Sequence, residues 1–470
     1  MGEHSLKIQQ ANNSHHYSAI LAKHAHGVFP LSPSQSAAQP NHHIDTDLII
    51  IGGGIAGLWL LNKLTNQGYK AVLFEQGELG EAQSIASQGM IHGGIKYALG
   101  GALTGSSEAI ADMPDHWRRC LKGEGDVDLR HAKVLSEFFY LWSTASLGSK
   151  VTSFFASKLT RGRADKLKSA DYPSHFQHPD FKGHVYKLVD LVMDTPSVLQ
   201  ALYDNYAERI FKIDWQHAQW CFADGSVSNN GAGHINNTDN IDDNINNTQA
   251  KITGLRLHQD GQCWQFNCQE VVFSAGAGNE DLCQSLAIQS VPMQRRPLQQ
   301  VMLSSRYPLP LYAHCMGSNP SPRLTISCHP LPSDPGETRW AWYLGGDLAT
   351  EGTDLPAEQL IAKAKNELNQ LFPHIDFSDA QWSTVKLDRA EPKQKGLIKP
   401  DKAFAARATE QHRNNVIIAW PTKLTLAPNM ADEVIALLAP ARGTRMDLNS
   451  TTVLNKPRVA RAHWQVEFKA

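Results

Sequence analysis

The sequence predicts an α/β protein of two domains (α+β in overall arrangement), one Rossmann-like and built on a parallel sheet, the other built on an antiparallel sheet. Three observations carry this. Residues 47–57, reading DLIIIGGGIAG, join an apolar strand to a glycine turn and a helix. Two more junctions, near positions 276 and 423, again bring a strand to a glycine turn or to a helix start. Between them, residues 295–347 hold strand-like runs separated by Pro- and Gly-rich turns, the pattern of antiparallel pairing.

The first junction marks a dinucleotide site. Gly52 permits the tight turn, Gly54 lets the backbone approach a pyrophosphate, and Gly57 lets the following helix lie close to the strand. The phosphates would rest on the first amides of that helix, at Ile55 and Ala56. A second strand follows at residues 71–74. Glu75 closes it about 20 residues after the last glycine, where ribose hydroxyl recognition requires an acid, and Gln76 comes next. The plain alternative, a buried strand and turn with incidental glycines, is weak against the whole constellation.

The chain has 470 residues, 41% hydrophobic, with 44 Lys and Arg against 46 Asp and Glu. At about 100 to 200 residues per domain this gives two or three domains. The near-neutral balance offers no reason to expect nucleic acid. Seven cysteines, none in a CxxC pair, fit a reduced compartment better than a disulfide framework and show no zinc spacing. There is no HExxH among the 21 histidines, and no metal is expected. Residues 1–44 are polar without an apolar signal-like core and are read as a disordered leader, His15-His16 and His42-His43 included. The longest apolar run, about 14 residues from Leu48, is too short to span a bilayer. The expected location is the cytoplasm, with peripheral contact at the inner face of the membrane left open.

Further along, residues 77–105 are rich in Gly, Ser and Ala, as backbone passing close to something bulky would be. Pro114 opens a helical region in which Leu135, Phe138, Phe139 and Trp142 recur at helical spacing, read as core packing. The basic stretch 158–168 reads as a solvated face. Thr195-Pro196-Ser197 reads as a helix start with Thr195 as N-cap. Strands are expected at 252–257 and 270–274, and the Asn- and Asp-dense insert 228–249 as a surface loop. At 271–282 (VVFSAGAGNEDL) a strand ends on Ala275 and Gly276 and a helix follows. Another helix runs from Pro356 with Leu360, Ile361, Ala364 and Leu368 on one face. Near the end, the strand 415–419 leads through Lys423, Leu424 and Thr425 to a helix over 429–438, whose N-terminal amides face whatever lies in front. From Arg442 onward a basic arm is expected to be solvated, with docking to a partner or membrane as the alternative.

A nicotinamide dehydrogenase would show the first junction but would not need the chain to return to the same sheet after 400 residues. An FAD enzyme would. No second complete GxGxxG is present, which disfavours a two-dinucleotide reductase. GGGIAG with Glu75, SQGMIHGGIKYALGG, the AGAG turn and WPTKLTLAPNMADEV together resemble the FAD-dependent D-amino-acid oxidase superfamily. Within it, residues 91–97 (IHGGIKY) are most similar to the IHGGLRYL stretch of FAD-dependent glycerol-3-phosphate dehydrogenases, and Lys423-Leu424-Thr425 to their GGKLTT. The resemblance covers roughly residues 46–440. Gln88 and Gly89 stand where those dehydrogenases have Ser and Lys, Lys96 replaces an Arg, and Pro421-Thr422 replace two glycines. These departures bear on the substrate more than on the flavin.

The resemblance implies a Rossmann-like FAD-binding domain of the glutathione-reductase type (45–115, 186–285 and 395–440), an antiparallel-sheet substrate domain (116–185 and 286–394), and the basic arm 441–470. It implies FAD as cofactor and a substrate C–H giving hydride to flavin N5. Ser87, Gly93 and Gly94 would lie along the flavin, and the amides of Lys423, Leu424 and Thr425 would face its N1 and C2 carbonyl region. Arg389 matches the arginine that grips the substrate's anionic group, the alternative being a salt bridge with Asp388 or Glu391. Lys96 and Tyr97 match the family's substrate-side pair. His92 would orient a ring or accept a proton, with His314 and His329 as weaker bases. The leading reading is oxidation of a small anionic metabolite such as glycerol 3-phosphate, with oxygen, a quinone or a protein as electron acceptor. An amino-acid or 2-hydroxy-acid oxidase or dehydrogenase is the enzymatic alternative. A non-catalytic FAD-binding redox sensor is the third.

Overall fold

Leu48, Ile49, Ile50 and Ile51 are all buried, and a strand apolar at every position needs cover on both faces. The computed structural model, which describes residues 39–94, 110–144, 164–228, 250–319, 321–333, 337–393, 402–441, 443 and 446–468, supplies both covers. The Leu48–Ile51 strand lies inside a six-stranded sheet ordered Ile210–Lys212, Ala71–Glu75, Leu48–Ile51, Glu270–Phe273, Val416–Trp420 and Phe404–Arg407. Five strands run parallel, and Phe404–Arg407 closes the edge antiparallel. The two-residue period of each strand divides its side chains between two cores. Leu48 and Ile50 meet the helices Ile55–Asn66, Thr195–Asn205 and Ala427–Ile435. Ile49 and Ile51 meet a four-stranded sheet made of His42–Asp45, Gln262–Asn267, Ile252–Gln259 and Ala218–Phe222.

The second large sheet has eight strands, ordered Gln381–Pro392, Met293–Ser305, Arg339–Gly345, Pro322–Leu331, Ala313–Met316, Phe139–Ser143, His184–Leu188 and Ala164–Lys166. Its pairs are antiparallel except where Ala313–Met316 runs parallel to Phe139–Ser143. The helix Ala357–Leu371 lays Leu360, Ala364 and Leu368 into this sheet's core, as its spacing predicts. A small sheet of Met90–Ile91, Leu191–Met193 and Val134–Ser136 stands apart from both.

Several expectations are corrected. The stripe Leu135 to Trp142 is not helical: Val134–Ser136 and Phe139–Ser143 are strands, held by partners distant in sequence. The end of the stretch expected to be a disordered leader is a strand, because His42–Asp45 pairs with Gln262–Asn267 and His42 stacks on Trp264 at 5.2 Å, while residues 1–38, His15-His16 included, lie outside the described residues. The cap of Thr195–Asn205 is Asp194, whose carboxylate accepts the Ser197 amide at 3.1 Å. The last helix of the parallel domain spans Ala427–Ile435, with a 3-10 turn, Leu424–Leu426, before it. His184–Leu188 lies wholly in the eight-stranded sheet, so the boundary expected after residue 185 falls inside a strand. The C-terminal arm is not merely solvated. Trp464 is buried, and Lys456 donates to the carbonyls of Ala207 and Glu208 while lying over the Phe211 ring. Lys96, Tyr97, residues 158–163, the insert from 229 to 249, Arg442, Arg445 and Lys469 lie outside the described residues. Among the described residues no helix is long and apolar enough to cross a membrane.

Candidate active site

The glycine turn shows what each glycine is for. Gly52 has φ +112°, and a side chain there would come within 2.6 Å of the Ala275 backbone, so the turn packs directly on the end of the neighbouring strand. A Cβ on Gly57 would lie 1.9 Å from the Gly52 carbonyl oxygen. On Gly54 it would meet only Ser84 Oγ, at 3.1 Å. The helix Ile55–Asn66 starts at Gly54, which has no side chain to cap it, and carries no acidic residue in its first turn, so its positive end faces the space in front. Glu75 accepts the Gly53 and Gly77 amides at 2.6 and 2.8 Å. Burial raises its carboxyl pKa against the lowering effect of those amides.

In front of this turn is a cavity of about 540 Å³. It lies where the carboxyl ends of the parallel strands face the eight-stranded sheet, the usual ligand crevice of such folds. Its wall brings together Gly52, Gly54, Ile55, Ala56, Glu75, Gln76, Ser87, His92, Ala275, Gly276, Arg389, Lys423, Leu424 and Thr425. Gly57 lies behind the wall as a packing residue. Gly93 and Gly94 are not on it. Gly93 donates its amide to Asp190 Oδ1 at 2.9 Å, and its missing side chain makes room for Val189, whose Cγ2 is 2.9 Å from where a Cβ would stand. Opposite, Thr425 Oγ1 accepts the His92 amide at 3.1 Å and donates to the Met90 carbonyl at 3.2 Å. Trp420 Nε1 donates to the Gly276 carbonyl at 3.0 Å. Thr422 holds the left-handed conformation, φ +60°, in the position where the resembled dehydrogenases have glycine.

The eight-stranded sheet supplies the other wall through alternate residues of two paired strands: Arg296, Leu298 and Gln300 from one, Leu387, Arg389 and Glu391 from the other. Arg296 and Arg389 stand directly opposite. Glu391 is buried and takes both Arg296 nitrogens, Nε on Oε1 and Nη2 on Oε2, with Gln294 Nε2 at 2.9 Å. The salt bridge considered for Arg389 is therefore not formed with Glu391, and Asp388 is 4.0 Å from Arg295 instead. Among the described residues no carboxylate pairs with Arg389. Burial, then the Arg296 charge, lower its pKa to about 10, with Glu391 acting the other way, so it stays cationic at neutral pH.

His92 is buried on the same wall, its Nδ1 3.2 Å from Asp190 Oδ2. His314 is stacked 6.0 Å behind it and bonded to Thr325 Oγ1 at 2.9 Å, off the cavity wall. His329 is also away from the cavity, stacked on Trp464 at 3.8 Å. Burial pushes its pKa down to about 3. Asp190, Arg296, Gln300 and Glu391 were not singled out from sequence. The period of two at 296, 298 and 300 and at 387, 389 and 391 is a signal for the last three, but the register that pairs the two runs is not readable from sequence. One group of possible metal ligands, His116, Cys120 and Asp126, occurs among the described residues. Asp126 there already accepts His116 Nε2 at 2.8 Å and Lys63 Nζ at 2.8 Å, and burial pushes the Cys120 thiol up to about 12, so the group is a closed hydrogen-bond network.

Comparison with known proteins adds independent findings. Residues 47–437 match the family model described as FAD dependent oxidoreductase (DAO). A probable FAD-dependent oxidoreductase of Pseudomonas aeruginosa, PA4991, is 42% identical over 426 residues, covering 90% of this chain and 99% of that protein. Its crystal structure superposes with a TM-score of 0.71 at 36% identity, over 92% of this chain and 100% of that one. Glycine oxidase from Geobacillus kaustophilus gives a TM-score of 0.56 at 16% identity, over 87% of this chain and 98% of that one, a likeness of fold alone. The same holds for L-alpha-glycerophosphate oxidase from Mycoplasma pneumoniae with FAD bound: TM-score 0.54, 13% identity, 89% of this chain and 99% of that one.

Proposed function

The chain belongs to the DAO family of FAD-dependent oxidoreductases, and from that premise we propose that its substrate is a small organic molecule with a single carboxylate, held by Arg389. FAD supplies the two-electron acceptor. The chain's residues fit it: Gly54 leaves the space that a pyrophosphate needs, the helix end, with no acidic residue in its first turn, faces that space, and Glu75 lines the same cavity at the end of the second strand.

The observation that carries the reading is the charge of the substrate wall. Two guanidinium groups stand side by side, and Glu391 neutralises only Arg296. Among the described residues that the eight-stranded sheet gives to this wall, Arg389 is left as the cation without a carboxylate partner, and its planar fork suits a carboxylate. A phosphate monoester carries about −1.5 to −2 at neutral pH, more charge than the one guanidinium left without a carboxylate partner on this wall would balance. Amino acids and 2-hydroxy acids therefore fit the wall better than the glycerol 3-phosphate expected from sequence. His92, which lines the cavity with its Nδ1 held by Asp190, is the residue we assign to accept the proton of the substrate's amine or hydroxyl.

The test is anaerobic mixing of the purified flavoprotein with amino acids, 2-hydroxy acids and glycerol 3-phosphate while following flavin absorbance. Bleaching by a monocarboxylate is expected. Bleaching by glycerol 3-phosphate and by no carboxylate would overturn the reading. Arg389→Ala should lose roughly 10- to 100-fold in kcat/KM, the worth of a charge-assisted hydrogen-bond pair, while keeping its FAD. Unchanged kinetics would remove Arg389 from the site.

A further inference from the structure

The family model ends at residue 437, yet the chain beyond it returns to Leu79, whose neighbours Glu78 and Gly80 line the cavity. We propose that residues 458–464 support the FAD site from outside it, as a strap that fixes the loop from Leu79 to Ala86 over the glycine turn. The inference rests on the family's cofactor and not on the substrate class, so the substrate panel can fail and leave it standing.

The strap holds the loop at both ends. At the first, the Leu79 amide donates to the Arg458 carbonyl at 2.7 Å and the Ala460 amide donates back to the Leu79 carbonyl at 3.0 Å, a parallel bridge between Leu79 and Val459. Leu79 is fully buried, and its Cδ2 lies 2.4 Å from where a side chain on Gly53 would begin, so it is pressed onto the middle glycine of the turn. At the second end, the buried ring of Trp464 packs 5.5 Å from Tyr343. The Tyr343 hydroxyl lies 3.1 Å from the Ala86 carbonyl and 2.8 Å from Gln300 Oε1 on the substrate wall.

Between these grips the loop performs its part in the site. Ser84 Oγ accepts the Ile55 amide at 3.0 Å, the first amide of the helix, and Gln83 and Ser84 line the cavity. A loop held at one end only would sample other positions, and ordering it again would oppose FAD binding. Trp464 and Ala460 thus act as positioning residues through Tyr343 and Leu79, without touching the cofactor.

The experiment measures FAD affinity of the full chain by equilibrium dialysis with flavin fluorescence, on Trp464→Ala, Trp464→Phe and Ala460→Pro, the last removing one of the two bridging amides. Leu360→Ala is the control, because it empties a buried position in the other domain's core and touches no part of the loop. Trp464→Ala and Ala460→Pro are expected to bind FAD at least tenfold more weakly, with Trp464→Phe within about threefold of the parent. Leu360→Ala is expected to lose thermal stability and keep its FAD affinity. Affinities of Trp464→Ala and Ala460→Pro within twofold of the parent, or weakened no more than in Leu360→Ala, would overturn the proposal.

Discussion

Gly54 and Gly57 are three residues apart and answer to different constraints. A side chain at 57 collides inside the protein, with the Gly52 carbonyl, whereas one at 54 enters the cavity and meets only Ser84 Oγ. Gly57→Ala should therefore lower the melting temperature, and Gly54→Val should fold and lose its flavin. Absorbance at the flavin bands and a thermal melt of each variant check this, and a yellow Gly54→Val preparation would contradict it. Thr422 presents the opposite case, a β-branched residue at φ +60°, a conformation costing about 1 to 2 kcal/mol for L side chains. Thr422→Gly releases that strain and gives up an exposed 3.2 Å hydrogen bond to the Lys402 carbonyl together with some unfolded-state entropy. A net gain of about 1 kcal/mol in urea unfolding is expected. An unchanged or lower midpoint would mean that the turn is unstrained at this residue.

At the scale of elements, the strand Pro322–Leu331 buries His329 completely, and the short turn Ser174–Phe176 does nearly the same to His175. Burial holds their pKa values down to about 3 and about 4, the latter opposed by a bond to the Leu309 carbonyl. In the unfolded chain both titrate near 6.5. The unfolded state thus binds protons that the fold refuses, so stability is complete above about pH 6.5 and declines as pH falls below it, by about 2 kcal/mol per histidine at pH 5. Urea midpoints at pH 7.5 and 5 should differ accordingly, and by less in His329→Gln. A flat profile would contradict the burial. What the sequence disclosed about elements divides along the same line between local and distant causes. The glycine turn, the strands at 48–51 and 416–420 and the helix from Pro356 were legible because turn chemistry and hydrophobic period act within a few residues. Leu135, Phe138, Phe139 and Trp142 satisfy a helical period equally well, but Phe139 and Trp142 are held in a strand by pairing with Ala313–Met316 and His184–Leu188, Leu135 in another by pairing with Leu191–Met193, and Phe138 lies in the bend between them. Arg296 and Glu391 became site residues only through the register of Met293–Ser305 on Gln381–Pro392, and Asp190 only through its approach to His92 and Gly93, neither of which a single sequence displays.

The whole molecule converges on one cavity. Its wall takes residues from 51–56, 74–92, 274–282, 296–300, 387–391 and 419–425, segments that belong to both large sheets. A ligand that touches all of them binds the folded state and has no counterpart in the unfolded chain, so it stabilises by RT ln(1 + [L]/Kd), about 2.7 kcal/mol at a hundredfold excess over Kd. Adding FAD to the apoprotein at that excess should raise the melting temperature by several degrees. The variants then separate the two walls. Gly54→Val should melt at one temperature with or without FAD, because the pyrophosphate can no longer approach. Arg389→Ala, on the opposite sheet, should keep the full FAD-dependent rise and lose only the smaller increment added by a carboxylate substrate or product. If Arg389→Ala abolished the FAD-dependent rise as well, its guanidinium would be a cofactor contact, and the division of the cavity into a nucleotide wall and a substrate wall would have to be redrawn.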